Sequence, residues 1–392
     1  MTQAFSRRIA ASLELRQQQG LQRKITPIEK GNTSSLMRNH KEYINFSSND
    51  YLGLAADKKL AKAWQKGIDL YGNGSGASPL VTGFSSAHQA LEERLCDWLG
   101  YSRAILFSSG FSANQAMLFS LLEKQDLLLQ DKLNHASLIE AGMLCPATMK
   151  RFHHNDVDHL TKQIATNGLT NNPLDGAMNS LVVTEGVFSM DGDLAPLAEI
   201  IEVTQERAWL AVDDAHGIGV LGKEGQGSCQ LAGIKPQLLV VTFGKAFGLS
   251  GAAIMCDEMT GEYLTQFARH HVYSTAMPPS QAYALHQAVN MVATEQWRRD
   301  KLAELYHCYD QQLSSVLGYQ YTQTPIKPFV VGEAEQTMQL AERLKDKGLW
   351  LTAIRPPTVP KGRARLRITL TANHTKQQVT QLASELHSLI EG

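Results

Sequence analysis

The chain has 392 residues, of which 43% are apolar and 19% are charged, and its net charge is −1. This is the composition of an ordinary globular protein, long enough for a large hydrophobic core and two packed units. Because there is no basic excess to neutralise phosphates, the charge balance argues against a general binder of nucleic acid or of acidic membranes. A local site for a small anion remains compatible with it.

The first 22 residues place Phe5, Ile9 and Leu13 among charged residues, without the apolar core of a signal peptide. This pattern predicts an amphipathic helix, and Glu14 argues against a transit peptide. No run of 18 apolar residues occurs, so we expect no membrane span. Five scattered cysteines without a Cys-x-x-Cys pair are typical of a reduced protein and predict a cytoplasmic location.

A short hairpin is predicted around residues 43–46, and it completes an N-terminal segment of residues 1–55. Residues 56–285 then alternate short apolar strands with helical patterns such as 87–98 and 113–122. Such alternation predicts an α/β fold with a mostly parallel sheet covered by helices, and with ligands bound beyond the carboxyl ends of the strands. The predicted strands are 104–107, 126–129, 181–184, 209–213, 238–241 and 252–255.

The pattern changes near residue 285. A long helical segment over 280–311 is followed by short strands near 326–331 and 366–370. A helix over 335–347 lies between those strands, and a last helix covers 375–390. This order predicts that residues 286–392 form a smaller α+β domain.

Chemistry-bearing side chains follow two of the predicted strands. Strand 209–213 ends in Asp213 with His216 shortly after, and Lys245 follows strand 238–241 between Gly244 and Gly248. Taken alone, Asp213 is more often a helix N-cap and Lys245 a solvated loop residue. Together, at one edge of a parallel sheet, a lysine and an acid are what pyridoxal 5′-phosphate (PLP) requires for a Schiff base and for its pyridinium nitrogen. The sequence therefore predicts a PLP site.

Two further motifs support this site, and a third is rejected. Residues 107–114 lead from a strand into a helix through Ser and Gly, a turn whose free N–H groups bind phosphate. His135 follows another strand, where its ring could stack on a planar ligand. The glycine-rich run 72–76 follows no strand and lacks a P-loop lysine, so we reject a nucleotide loop there. Asp214 is expected to be structural, His153 and His154 to form a solvated loop, and no metal site is predicted.

These motifs resemble those of the α-oxoamine synthases, PLP enzymes of fold type I, over nearly the whole chain. Within that family, the segment from Ile354 to Pro360, followed by Arg365 and Arg367, is most similar to members that condense L-alanine with pimeloyl-CoA or a pimeloyl carrier protein in biotin biosynthesis. Residues 74–80 depart from the family because they lack a second glycine pair. This difference affects the expected shape of the acyl-chain entrance and does not affect the PLP site. The matching stretches are 47–54, 133–137, 184–192, 212–217, 242–248 and 273–275.

The resemblance implies a role in cofactor binding for ten residues. Lys245 would carry PLP and act as base toward the α-proton, Asp213 would pair with the ring nitrogen, and His135 would stack on the ring. The residues expected beside the phenolic oxygen are His216 and Ser189. Those expected to hold the phosphate are Gly110, Phe111 and Thr242, with Ser274 and Thr275 reaching the phosphate of the neighbouring subunit in a homodimer.

The resemblance also implies substrate contacts. Arg367 with Asn49 would bind the amino-acid carboxylate, a ligand that suits a guanidinium. Arg23, His135 and Thr358 match further positions that contact substrate.

Three alternatives to this function stay open. A sister synthase would condense glycine with a short acyl-CoA and share all the PLP residues. An aminotransferase of the same fold would form pyridoxamine phosphate from PLP with alanine alone, and it would need no CoA thioester. An inactive scaffold is disfavoured because Lys245, Asp213 and His135 are all present.

Overall fold

The computed structural model describes residues 4–31, 33–166 and 179–391. It begins with helix α1 (Ala4–Gln18), which presents Phe5, Ile9 and Leu13 to solvent. The first three residues of the predicted helix lie outside the described ranges. A hairpin follows, formed by β1 (Ser35–Arg38) and antiparallel β2 (Lys41–Asn45); a hairpin is thus present, but it begins earlier in the chain than the predicted residues 43–46.

A seven-stranded sheet lies at the centre of the molecule, in the order β3-β9-β8-β7-β6-β4-β5. Among the described strands of this sheet, β9 alone runs opposite to the other six, which confirms the mostly parallel α/β fold. The strands are β3 (Arg103–Phe107), β4 (Leu127–Asp131), β5 (Thr148–Phe152), β6 (Ser180–Glu185), β7 (Trp209–Asp213), β8 (Leu238–Thr242) and β9 (Ala252–Cys256). All six predicted strands are present, and β5 is additional.

Alternate residues of these strands pack into two separate hydrophobic clusters, one on each face of the sheet. Leu127, Val182 and Val212 belong to one cluster, whereas their neighbours Leu128 and Val183 belong to the other. The sheet is therefore buried on both sides, as expected for parallel strands. The helices of this region are α2 (Lys58–Tyr71), α3 (Ser86–Leu99), α4 (Gly110–Leu121), α5 (Ala136–Leu144), α6 (Val157–Thr166), α7 (Leu197–Thr204), α8 (Ser228–Leu231), α9 (Glu258–Phe267) and α10 (Arg269–Val272).

The long helical segment predicted over 280–311 is confirmed except at residues 295–296, where it breaks into two helices, α11 (Pro279–Thr294) and α12 (Trp297–Leu313). Glu295 leaves the helical conformation at ψ 65. Its carboxylate accepts hydrogen bonds from Lys59 Nζ at 3.2 Å and Arg298 Nε at 2.8 Å. Arg298 also donates to the Leu52 carbonyl at 2.8 Å, so the break anchors the chain before α2 to the start of α12.

The C-terminal part contains two small sheets. Strand β11 (Leu349–Trp350) pairs in parallel with β2, while β10 (Ile326–Gly332), β13 (Ala364–Thr369) and β12 (Thr352–Ile354) form an antiparallel sheet. Helices α13 (Ala334–Asp346) and α14 (Lys376–Glu391) pack with these strands around a third cluster that also contains Phe46. The division into residues 1–55, 56–285 and 286–392 stays a prediction. None of the helices in the described ranges combines the length and apolarity needed to cross a membrane.

Candidate active site

A cleft of about 280 Å³ opens at the carboxyl ends of β6, β7 and β8. Its position is where a parallel sheet ordinarily binds ligands. It brings together residues from six separate stretches of the chain, five of which contain residues predicted from the sequence. The predicted residues that line it are Asn49, Gly110, Phe111, His135, Asp213, His216, Thr242 and Lys245.

Lys245 lies three residues beyond the end of β8, with its Nζ 3.5 Å from Thr242 Oγ1. Burial lowers the pKa of its amine, an effect that the nearby carboxylates of Asp213 and Glu185 oppose and that Arg367 reinforces. Lowering the pKa increases the fraction of neutral amine at neutral pH. The amine can therefore act as a nucleophile toward an aldehyde and as a base.

Asp213 is the last residue of β7, and its carboxylate is held from two sides. Oδ2 accepts a hydrogen bond from Asn114 Nδ2 at 2.7 Å, and Oδ1 accepts one from the Ala215 backbone N–H at 3.0 Å. Asn114 also donates to Ser137 Oγ at 2.9 Å. Asn114 was missed in the sequence, although it lies four residues after Gly110, on the helical face that starts at the cleft.

Glu185 is a second missed residue of the cleft. It ends β6 directly opposite Asp213 in the strand register, so two carboxyl groups lie side by side. Burial raises the pKa of Glu185 well above its ordinary value, and Asp213 raises it further, while a hydrogen bond from the His135 backbone lowers it. Its Oε1 is buried and has no hydrogen-bond partner within the described residues. A buried, partly unsatisfied carboxyl group therefore faces the cleft beside that of Asp213.

The two predicted histidines differ in their surroundings. His135 caps α5, with its Nδ1 2.8 Å from Ser137 Oγ, and burial lowers its pKa. His216 Nδ1 lies 2.5 Å from the hydroxyl of Tyr51, a residue that sequence reasoning missed. Burial lowers the pKa of His216 well below its usual value and raises that of Tyr51 to about 12. A neutral imidazole that lines the cleft is thus bonded to a neutral phenol.

The N-terminus of α4 forms one wall of the cleft. No acidic residue occupies its first turn, so its backbone N–H groups and helix dipole present a positive end to a ligand. A Cβ at Gly110 would lie 2.6 Å from Thr242 Cγ2, so only glycine lets the helix approach β8 this closely. This wall is suited to a phosphate group.

Some predicted residues lie beside the cleft or away from it. Arg367 Nε donates to the Ser189 carbonyl at 2.6 Å and its Nη1 to Asn49 Oδ1 at 3.1 Å, which places all three next to the cleft. By contrast, Ser274 and Thr275 line a separate small recess beside His88. Arg23 and Thr358 are exposed on the surface and do not line the cleft.

Asp214 is fully buried and turned away from the cleft, in keeping with a structural role. It accepts hydrogen bonds from the Ser228 backbone N–H at 2.8 Å and from Ser228 Oγ at 2.6 Å. Glycines surround it, because a Cβ at Gly186, Gly217 or Gly227 would lie 2.3, 2.2 or 1.9 Å from its oxygens. Burial raises the pKa of Asp214 to about 7.

The prediction of a solvated loop at His153 and His154 is wrong for His154. The side chain of His153 is 68% exposed. His154 instead lies between two carboxylates, with Nδ1 3.0 Å from Asp131 and Nε2 2.7 Å from Asp193. Burial lowers its pKa, but the hydrogen bonds to the two carboxylates outweigh burial and raise the pKa to about 9.

The amine of Lys245, the carboxylate of Asp213 and the N-terminus of α4 surround one cleft and fit the aldehyde, ring nitrogen and phosphate of PLP. The comparisons with known proteins agree with a PLP site. The family model described as aminotransferase class I and II matches residues 41–386. An 8-amino-7-oxononanoate synthase of Vibrio cholerae is 59% identical over 391 residues, which cover 100% of this chain and 99% of the relative.

Solved structures share the fold. A serine palmitoyltransferase from S. paucimobilis with bound PLP superposes with a TM-score of 0.89 at 25% identity, covering 99% of this chain and 98% of that one. An 8-amino-7-oxononanoate synthase from Francisella tularensis has a TM-score of 0.76 at 31% identity, covering 89% and 98%.

Proposed function

The chain belongs to the aminotransferase class I and II family, and we propose that its cleft condenses L-alanine with a pimeloyl thioester. The reaction releases CO₂ and a free thiol and yields 8-amino-7-oxononanoate for biotin biosynthesis, so the chain acts as a PLP-dependent acyltransferase. The observation that carries this proposal is the convergence of Lys245, Asp213 and the α4 N-terminus on one cleft, in a chain 59% identical to a synthase of that name.

When bound, PLP withdraws electrons from the α-carbon of an attached amino acid, which makes loss of its α-proton or carboxyl group feasible. The residues that would hold it are those placed around the cleft. Lys245 would attach its aldehyde, Asp213 would pair with its ring nitrogen, and Gly110, Phe111 and Thr242 would hold its phosphate. His135, Ser189 and His216 are proposed to contact the ring and its phenolic oxygen.

The protein side chains then manage proton transfer and substrate position. Once free, the amine of Lys245 can take the α-proton of alanine, because burial increases its neutral fraction. Arg367 and Asn49, joined by a 3.1 Å hydrogen bond, are proposed to bind the alanine carboxylate as a preassembled pair. Arg23 and Thr358, both exposed on the surface, are proposed to contact substrate.

We also propose a homodimer with shared sites. Ser274 and Thr275 do not line the cleft of their own chain, which supports their contacting the phosphate of the neighbouring subunit. Tyr273 beside them is 79% exposed, as expected for a residue that a second subunit could cover. A cytoplasmic location is proposed from the five unpaired cysteines.

A product assay tests the proposal. Purified protein with PLP is given alanine or glycine, each with pimeloyl-, acetyl- or succinyl-CoA, and the products are identified by mass. We expect product only with alanine and the pimeloyl thioester. Product from glycine and a short acyl-CoA would favour the sister synthase, and amino transfer from alanine without any thioester would favour the aminotransferase.

A further inference from the structure

His154 bridges two carboxylates from different parts of the chain. Its Nδ1 lies 3.0 Å from Asp131 Oδ1 and its Nε2 lies 2.7 Å from Asp193 Oδ2. An ionised carboxylate only accepts hydrogen bonds, and a neutral imidazole has only one N–H. Both bonds can therefore form together only when the ring is protonated, so the bridge requires a charged imidazolium.

Each aspartate in this bridge also shapes a turn at or beside the cleft. Asp131, fully buried at the end of β4, accepts the Leu133 backbone N–H at 2.8 Å in the turn that leads to His135. The carbonyl of Asp193 accepts the Phe188 N–H at 3.0 Å and so closes the turn that contains Ser189.

Asn155 fastens the same two carboxylates. Its backbone N–H donates to Asp131 Oδ2 at 2.9 Å, and its side chain donates to Asp193 Oδ2 at 2.9 Å. The ring of His154 also meets Phe188 edge-on, with centroids 4.4 Å apart. The segment after β5 is therefore built around the bridge, although neither His154 nor Asn155 lines the cleft.

We propose that protonated His154 is a positioning residue that holds the His135 turn and the Ser189 turn at a fixed separation around the bound cofactor. The reaction it serves is the one proposed above, so the inference rests on that function. His154 touches no reacting atom in this arrangement. It acts through Asp131 on one side and through Asp193 on the other.

The charges around His154 give this bridge a pH dependence. The ionisable groups that face it are Asp131 from β4 and Asp193 from the loop after β6, and Glu185 interacts with Asp131 in turn. On its own segment, Asp156 pairs instead with His153 at 3.6 Å. The pKa of His154 rises from 6.5 to about 9 on folding, so the bridge opens only as the pH rises through 9. Its contribution to stability is full below pH 6.5 and is lost as the pH rises through 9.

The test compares His154→Gln with His153→Gln, a matched change at the exposed neighbour that lies outside the bridge. We expect His154→Gln to lower kcat about 10²-fold, the effect of misplacing catalytic groups by about 1 Å, while KM for alanine changes by less than about threefold. It should also weaken PLP binding and remove a decline of activity near pH 9 that the wild type and His153→Gln both show. Unchanged kcat and PLP affinity in His154→Gln would overturn the proposal.

A second measurement needs no variant and no substrate. It is a pH titration by NMR of the PLP-loaded wild type carrying ¹³C-labelled histidine, in which the His154 resonance should titrate near pH 9. A midpoint at or below pH 7 would refute the bridge. This result holds even if His154→Gln does not fold. The outcomes stay distinct from those of the product assay. A wild type that makes no 8-amino-7-oxononanoate contradicts the proposed function, whereas the titration and PLP affinity still decide the role of His154.

Discussion

Replacing Asn114 by alanine should weaken PLP binding while leaving the fold intact. The change removes the 2.7 Å hydrogen bond to Asp213 Oδ2 and leaves Oδ1 with its bond from Ala215. A hydrogen bond to a charged group contributes about 1.5–3 kcal/mol. In the free protein, water from the cleft can replace the lost donor, but bound PLP would exclude that water. The loss should therefore appear in binding, as an increase of about 10- to 150-fold in the PLP dissociation constant.

The folded state should be affected less, because the buried Oδ1 of Asn114 has no partner within the described residues and its removal relieves an unsatisfied group. The assay is a PLP titration followed by absorbance, together with thermal unfolding of the PLP-free protein. Asn290→Ala is the matched control, since it deletes a 2.7 Å hydrogen bond to Arg94 outside the cleft. If Asn114→Ala binds PLP as tightly as Asn290→Ala does, Asn114 does not support Asp213.

Three further predictions follow from the same contacts. Lys245→Ala should fold but show neither the absorbance of lysine-linked PLP nor turnover, and retained turnover would remove Lys245 from the mechanism. Gly227→Ala should lower the free energy of unfolding in urea by about 3–6 kcal/mol, because backbone strain at φ +92° adds to the clash of the new Cβ with Asp214. The control Gly233→Ala, at φ +68° with open space around the new Cβ, should lower it by only about 1–2 kcal/mol. Burial lowers the pKa of His374 from 6.5 to about 4, so the unfolded chain binds a proton at this residue before the folded protein does. The free energy of unfolding should therefore fall by about 3 kcal/mol as the pH decreases from 6.5 to 4, and His374→Gln should reduce this pH dependence.

The sequence predicted the residues that local patterns place at strand ends. Asp213 and the chain around Lys245 were found because an apolar run stops just before each of them, and parallel strands end at one edge. Glu185 also ends a strand, yet its importance depends on its register opposite Asp213, which no local pattern reveals. Tyr51 reaches His216 across 165 positions of sequence, so only the folded chain shows that contact.

Features set by long-range contacts were predicted less well. Strand β5 was missed because three of its five residues are exposed and its Lys150 and Arg151 interrupt the apolar pattern typical of strands. The break at Glu295 depends on Lys59 and Arg298, which meet it only in the folded chain. His154 looked like an exposed loop residue because its two partners lie 23 and 39 positions away.

The order of strands in the central sheet has a consequence for how the chain is made. Strand β3 is the first of this sheet to leave the ribosome, but its partner β9 ends about 150 residues later, a delay of about 8 to 30 s at ordinary rates of synthesis. Until β9 arrives, the hydrogen-bonding edge of β3 has no strand to pair with, and Lys245 lies in the last connection to be translated before β9. Nascent chains that stop short of Cys256 should therefore depend on chaperones, and the cofactor can bind only after most of the protein has been synthesised.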